Sequence, residues 1–374
     1  MAKTVRGAGS GSGSGGEVPA QDPDPVGPPP APVPAAETAV RVPGAAPRRH
    51  PPMWGWLAAG AALIYVLYAP VLLLDSVQRT LAGVFMFAAL AQGWNIIGGF
   101  AGYPCFGQVV FFGLGGYTAA VLMVKAGWAF WPTLPLATVI GTVFAVLVGT
   151  PLLRLRGHYF AIATLGVAEG MHEVVVNLPS LTGGGAGITM PVVGSEARTS
   201  YLSNTGFYYA FLCLLVVATT IVWLIARSRF GYALRAIHQD EEAAASAGIH
   251  TPRAKVIAFA LSGALTATIG AVYAFQQVTI FPDRLFAVDI TVLMAIMVIF
   301  GGSGTVTGPI IGGVTLQLLS EYLRQNYLQL HTLLFGAIIV LAVLFIPQGV
   351  VEFVTGARYD RRFSLLENMR RYRL

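Results

Sequence analysis

Glu169, His172 and Glu173 form the first group of residues whose types and spacing could do chemistry. They stand at i, i+3 and i+4 in one apolar run, so a helix places them on a single face. The Glu-x-x-His spacing is used by di-iron bundles, but such sites need a second pair, which the sequence lacks. We therefore expect no metal. These side chains either bond to neighbours at the bundle interior or the outer helix end, or line a substrate path, and Asp289 has the same two interpretations.

The lysines exclude nucleotide hydrolysis by a P-loop. Lys3, Lys125 and Lys255 are the only three, and none follows a glycine, so the GxxxxGK[ST] pattern is absent. The two cysteines, Cys105 and Cys213, lie in apolar runs and form neither a disulfide framework nor a zinc motif. We expect no catalytic site and no cofactor. Any ATP that drives this protein must then be hydrolysed by a partner chain.

Residues 227–255 form a short charged segment between two apolar runs, with eight charges. The alanine-rich pattern predicts a helix over 232–247, which ends before Pro252. That helix would carry one polar stripe, made of Arg235, Gln239, Glu242 and Ser246. It is either a solvated connector or a docking helix that fits a groove on a soluble partner.

The elements around this segment are membrane helices. Only 11% of the 374 residues are charged, against about 25% in soluble domains, and 55% are apolar. Runs of about 20 apolar residues cross a bilayer. Ten runs are present, and they are 54–74, 80–98, 105–124, 133–153, 158–178, 207–226, 254–275, 287–301, 305–322 and 331–347. The sequence predicts an all-α polytopic integral membrane protein with about eight to ten transmembrane helices, because runs 105–124, 287–301 and 305–322 are short or glycine-broken.

The basic residues predict the orientation in the membrane. With both termini cytoplasmic, 18 of the 23 Lys and Arg residues lie inside, as the positive-inside rule requires. This explains the net charge of +6 without nucleic acid. The predicted domains are a disordered Gly/Pro/Ala-rich cytoplasmic tail over 1–50, a transmembrane domain over 51–350 and a basic cytoplasmic tail over 351–374.

Five segments in order resemble one known family. They are GYPCFGQVVFFGLGGYTAAVL at 102–122, LRLRGHYFAIATLGVAE at 153–169, LTGGGAGI at 181–188, FGYALRAIHQDEEAAASAGI at 230–249 and IFGGSGTVTGPIIGG at 299–313. Together they are similar to the LivM-type permease of branched-chain amino-acid ABC importers, over about residues 80–345. The resemblance implies a permease subunit that works by alternating access in the cytoplasmic membrane. It also implies two ATPase subunits, a second homologous permease and an extracytoplasmic substrate-binding protein as partners.

The family's EAA…G loop assigns a role to part of the charged segment. Its pattern falls on Glu242, Ala243, Ala244 and Gly248, with Arg235 and Glu241 flanking it, and implies that these six residues couple the permease to its ATPases. Downstream the sequence departs from the family pattern, because Pro252 arrives early and no I-x-L-P follows. That departure affects the predicted geometry of docking on the ATPases and leaves the prediction of docking itself unchanged.

The translocation path is predicted from polar residues inside apolar runs. The candidates are Gln92, Asn95, Gln108, Tyr117, Glu169, His172, Ser262 and Thr266. Two glycine-rich clusters, near 98–116 and 301–313, either pack helices closely or open them towards a substrate. Two alternatives stay open: a urea or amide importer permease of the same family, and an ion-coupled secondary transporter.

Overall fold

The computed structural model describes residues 74–190, 202–327, 330–345 and 349–351. The predicted tail 1–50 lies outside these residues. So do the first predicted span, 54–74, apart from Leu74, and the basic tail 351–374, apart from Val351.

The described residues are almost entirely helical. The helices are α1 Asp75–Trp94, α2 Gln108–Lys125, α3 Phe130–Leu152, α4 His158–Val176, α5 Pro179–Thr182, α6 Asn204–Arg227, α7 Arg229–Gln239, α8 Glu241–Ser246, α9 Thr251–Gln277, α10 Pro282–Leu285, α11 Val288–Gly301, α12 Gly308–Asn326 and α13 His331–Phe345. A π-helical segment, Asn95–Phe100, continues α1, and a 3₁₀ turn spans Gly184–Ala186. The strands β1, Ile188–Thr189, and β2, Thr279–Ile280, form an antiparallel pair.

Seven helices within the described ranges are long and apolar enough to cross a membrane. They are Asp75–Phe100, Gln108–Lys125, Phe130–Leu152, His158–Val176, Asn204–Arg227, Thr251–Gln277 and Pro282–Gly301. The all-α polytopic prediction is therefore confirmed. The glycine-broken run at 105–124 forms one continuous helix, α2, and the run at 305–322 forms the 19-residue helix α12.

Helix α9 lies at the centre of the bundle and packs mainly on α2 and α3. Glycine permits the close approach of α2: a β-carbon at Gly115 would overlap the carbonyl oxygen of Ala267, and one at Gly270 would overlap that of Phe112. This is the packing role that small residues have between membrane helices. The glycine-rich cluster near 98–116 was predicted either to pack helices closely or to open them towards a substrate. At the contact between α2 and α9 its glycines pack the helices closely.

The two ends of α9 face different environments. Its first residue follows the short helix α8, and its last residue leads into β2. Strand β2 pairs with β1, where Ile188 lies opposite Ile280 and Thr189 opposite Thr279, and this pair fixes the glycine-rich turn at 181–188. The charged segment and the glycine-rich turn therefore lie at opposite ends of the bundle.

Candidate coupling and translocation sites

The charged segment forms two helices, α7 and α8, so the prediction of one helix over 232–247 is wrong. Asp240 separates them in an extended conformation, with φ −158°. Its carboxylate accepts hydrogen bonds from the backbone N–H of Glu242 at 2.8 Å and of Ala243 at 3.0 Å. This caps the N-terminus of α8, and the same two bonds lower the pKa of Asp240.

The break at Asp240 also divides the predicted polar stripe. Arg235 and Gln239 belong to α7, whereas Glu242 and Ser246 belong to α8. The N-cap residue was present in the sequence, as an Asp followed by Glu-Glu and an alanine run. The prediction of one helix over 232–247 did not use this signal, so it missed the boundary.

Glu241 points into the protein and joins α8 to α9. The ammonium of Lys255 donates to the Glu241 carboxylate at 2.6 Å, and the Tyr103 hydroxyl donates to the other oxygen of that carboxylate. Lys255, only 3% exposed, also donates to the Tyr103 hydroxyl at 3.0 Å and to the Leu153 carbonyl at 2.8 Å. We call Glu241, Lys255 and Tyr103 the latch cluster. It ties together α8, α9, the loop after the π segment and the end of α3.

The surroundings of Glu241 keep its carboxylate ionised. Burial raises the pKa of Glu241, but the hydrogen bonds from Lys255 and Tyr103 outweigh it, so the net pKa is below the ordinary value. Burial and then the Glu241 hydrogen bond raise the pKa of Tyr103, so the phenol keeps its proton. Arg156 adds a second cation, with Nε 3.7 Å from Glu241 and Nη1 2.8 Å from Glu242.

Helix α7 contacts the π segment directly. Nδ1 of His238 lies 3.1 Å from the carbonyl oxygen of Gly99, which can only accept a hydrogen bond. The imidazole sits where a β-carbon of Gly102 would lie, and Gly102 has a φ of +73°, in the left-handed region that favours glycine. Arg235 also faces the body of the protein, with its guanidinium 5.2 Å from the centre of the Phe100 ring.

The six residues predicted to couple to ATPases therefore divide into two sets. Glu241, Arg235 and the buried Ala244 face inward, onto the rest of the chain. Glu242, Ala243 and Gly248 are exposed, and the Glu242 side chain is 79% exposed. Only the second set is free to meet another protein.

The predicted path residues Gln92 and Asn95 hold α1 against the turn between α11 and α12. The Gln92 amide donates to the Val306 carbonyl at 2.7 Å. The Asn95 amide donates to the Thr305 carbonyl at 2.8 Å and accepts from the Gly304 N–H at 2.9 Å. Asn95 begins the π segment, a helical irregularity that is common at functional sites.

Three further path residues form a second set of bonds between α2 and α9. The Gln108 amide donates to the hydroxyls of Ser262 at 2.8 Å and Thr266 at 2.7 Å, and Ser262 donates to the Gly93 carbonyl at 2.6 Å. We call Gln92, Asn95, Gln108, Ser262 and Thr266 the amide–hydroxyl network. All five side chains belong to fully buried residues. Gln108, Ser262 and Thr266 contact one another, whereas Gln92 and Asn95 contact the turn at 304–306. Their role in a translocation path stays a prediction.

Three buried oxygens in this region have no hydrogen-bond partner among the described residues. They are Oε1 of Gln92, Oε1 of Gln108 and the hydroxyl of Tyr117. A buried acceptor without a partner costs about 1 to 3 kcal/mol, so each of these atoms calls for an explanation. Tyr117 stacks on Phe286 with ring centres 6.0 Å apart.

The Glu169 group lies apart from the network. Glu169 is exposed on α4, and Nε2 of His172 lies 2.8 Å from the Asp283 carboxylate on α10. Asp289 is exposed in the first turn of α11. Within the ranges that the structure describes, no three His, Cys, Asp or Glu residues are grouped to hold a metal ion.

Sequence reasoning missed Tyr103, Arg156 and Lys255 as members of the site. Lys255 offered a signal, because it is the one charge in the apolar run 254–275. Tyr103 and Arg156 offered none, because they lie 138 and 86 positions from their glutamate partners on α8.

Comparisons with known proteins identify the family of the chain. Residues 76–343 match the family described as branched-chain amino acid transport system / permease component. The chain is 30% identical over 289 residues to the high-affinity branched-chain amino acid transport system permease protein LivM of Salmonella typhimurium (strain LT2), covering 71% of the chain and 68% of that relative. Identity to LivM of Escherichia coli (strain K12) is 29% with the same coverage.

A more distant relative is the probable branched-chain amino acid transport permease protein LivH of Methanocaldococcus jannaschii, at 25% identity over 70% of the chain and 86% of that relative. No solved structure gives a significant match. The resemblance predicted from the sequence is confirmed, and the chain belongs to the family of branched-chain amino acid transport system permease components.

Proposed function

We propose that this protein is a permease subunit of an ATP-driven importer that carries branched-chain amino acids across the cytoplasmic membrane. It pairs with a second homologous permease, two ATPases dock on α7 and α8, and a substrate-binding protein delivers substrate at the opposite end. Both chain termini are cytoplasmic in this arrangement. The names of the LivM and LivH relatives support the substrate class.

The observation that carries this proposal is the two-sided charged segment. Its outer face presents Glu242, Ala243 and Gly248, while its inner face is tied to the bundle through Glu241. A partner that pulls or pushes on the outer face therefore moves the inner contacts with it. A solvated connector would not need a nearly buried ion pair at this point.

The contacts define a route for the motion. From α8 it passes through the latch cluster to the start of α9, and from α7 it passes through His238 to the π segment at Gly99. The π segment carries Asn95, which holds the turn between α11 and α12. ATP-driven movement of the outer face thus reaches α1, α9, α11 and α12 together.

The amide–hydroxyl network is the closed part of the translocation path. When α1, α2 and α9 move apart, the unpaired oxygens of Gln92 and Gln108 become acceptors for the ammonium group of an amino acid. Glu169 and His172 lie nearer the outer end of the path, where substrate enters. The chain itself performs no catalysis, because its partners hydrolyse the nucleotide.

Docking is tested by co-purification in mild detergent from the native membrane. We predict that Glu242→Arg with Ala245→Trp, both on the exposed face of α8, removes the ATPases but keeps the second permease. The matched control is Glu173→Arg with Gly185→Trp, which makes the same changes at exposed positions at the other end of the bundle. The Gly185 position has open space for a side chain.

Two results would contradict the proposal. The first is a control variant that loses the ATPases as completely as the α8 variant does. The second is wild-type protein that purifies alone and moves substrate in liposomes under an ion gradient, which would favour a secondary transporter and direct attention to Glu169, His172, Glu173 and Asp289.

A further inference from the structure

A cavity of about 700 Å³ opens beside the latch cluster, and its lining is strongly basic. The charged residues around it are Arg154, Arg156, Arg253, Lys255 and Glu241, so four cations face one carboxylate. Cavities with such an excess of positive charge favour an anionic occupant.

Two of the four cations have no carboxylate partner among the described residues. Lys255 and Arg156 are paired with Glu241 and Glu242. Arg154 and Arg253 are exposed, and within the part of the chain that the structure describes neither forms an ion pair with a carboxylate. Their charge is available to a ligand.

The position of the cavity relative to the membrane indicates the class of that ligand. Three candidate membrane spans end beside it, because α3 ends at Leu152, α4 begins at His158 and α9 begins at Thr251. The cavity therefore lies at the level of the lipid headgroups. Apolar side chains continue from it into the membrane, since Ile257 lines the cavity at 50% exposed and Leu147, one turn inside α3, is 66% exposed.

We propose that this cavity binds an anionic phospholipid, with the phosphate between Arg154 and Arg253 and an acyl chain along the outer surfaces of α3 and α9. Basic pockets between membrane helices are suited to anionic headgroups. The apolar part of the lining favours a lipid over an acidic protein side chain, which would leave that surface in water. This inference rests on the membrane placement of the helices and not on the proposed coupling to ATP.

Native mass spectrometry of the purified full-length chain tests the proposal. Dioleoyl phosphatidylglycerol is titrated against dioleoyl phosphatidylcholine, which differ in headgroup charge but not in acyl chains. Wild type is expected to retain one phosphatidylglycerol more tightly than phosphatidylcholine. Arg154→Gln with Arg253→Gln is expected to weaken this binding about 25-fold, because each basic side chain near an anionic lipid contributes about a factor of five.

Two further variants control for charge and folding. Arg227→Gln with Arg229→Gln removes two charges from exposed residues that do not line the cavity, and is expected to bind phosphatidylglycerol as wild type does. Arg154→Lys with Arg253→Lys keeps the charge and is expected to retain most of the binding. Glycerophosphoglycerol and inorganic phosphate, which lack acyl chains, are expected not to displace the lipid.

Several results would overturn the proposal. Equal retention of the two lipids, or equal weakening by the Arg227 and Arg229 control, would show that the cavity does not select the headgroup. Displacement by inorganic phosphate would assign the cavity to a soluble anion. Loss of the ATPases from the Arg154 and Arg253 glutamine variant in lipid-free detergent, with phosphatidylglycerol binding unchanged, would assign it to a protein contact.

Discussion

The latch cluster and the amide–hydroxyl network both join α9 to other helices, but they differ in charge and in completeness. In the latch cluster the three protons of the Lys255 ammonium have three acceptors, namely Glu241, Tyr103 and the Leu153 carbonyl. In the network, Gln92 and Gln108 each keep an oxygen without a partner among the described residues. The complete, charged cluster resists rearrangement, whereas the neutral and incomplete network leaves bonds that another conformation or a substrate can form.

The largest predicted effect is on the latch cluster. Glu241→Gln leaves the nearly buried Lys255 ammonium without its counter-charge, so we expect the free energy of unfolding to fall by about 3 to 5 kcal/mol. Adding Lys255→Met removes the stranded charge and should restore part of the loss. Thermal or denaturant unfolding in detergent measures both.

A double-mutant cycle sharpens this result. The coupling energy between Glu241 and Lys255 is expected to be large, because each single change strands the other group. The matched control is Glu242→Gln, a neighbouring carboxylate that is 79% exposed and whose loss should change stability little. Equal effects of Glu241→Gln and Glu242→Gln would remove the distinction between the inner and outer faces of α8.

A smaller effect is expected in the network. Gln108→Leu removes two neutral hydrogen bonds within the membrane and should lower the free energy of unfolding by about 1 kcal/mol, because such bonds between membrane helices are individually weak. The rate of substrate transport should fall several-fold, although the free energy of unfolding changes little, because an acceptor for the substrate is lost. A loss of stability as large as that of Glu241→Gln would contradict the contrast between the two networks.

The smallest expected effect is the response of stability to pH. The pKa of Glu241 is depressed in the folded protein, so its contribution is fully present above the unfolded-state pKa of about 4.3 and is lost as pH falls through the lower folded value. The stability difference between wild type and the variant Glu241→Gln plus Lys255→Met, which has no stranded charge, should be constant from pH 8 to pH 6 and shrink below about pH 4.3. The difference between wild type and Gln108→Leu should not follow this profile, because neither residue titrates.

The sequence predicted much of the fold because apolar runs of membrane length leave few alternatives. It also gave Gln92, Asn95 and Gln108 as candidate path residues, because they are polar residues inside such runs. It did not predict that Gln92 and Asn95 bond to the turn at 304–306, because the partners of both side chains lie over 200 positions away.

The coupling site was predicted less completely. Resemblance to the family identified Glu241 and Glu242 together, but nothing in two adjacent glutamates tells which one faces inward. The extended conformation of Asp240 determines which glutamate faces inward, because it ends α7 and starts α8 with a different orientation of its faces. From the sequence, Arg154 and Arg253 served only to predict which side of the membrane their loops lie on. The cavity that they share depends on how α3, α4 and α9 meet, which the sequence does not give.

The ratio of ATP hydrolysed to amino acid moved tests the central claim most directly. The complete importer, with its ATPases and binding protein, is reconstituted into liposomes with wild-type permease or with the variant Glu241→Gln plus Lys255→Met. If the latch cluster transmits the movement, the variant keeps its ATPases bound and hydrolyses ATP, but moves several-fold less substrate per ATP. An unchanged ratio, with the ATPases still bound, would contradict the account.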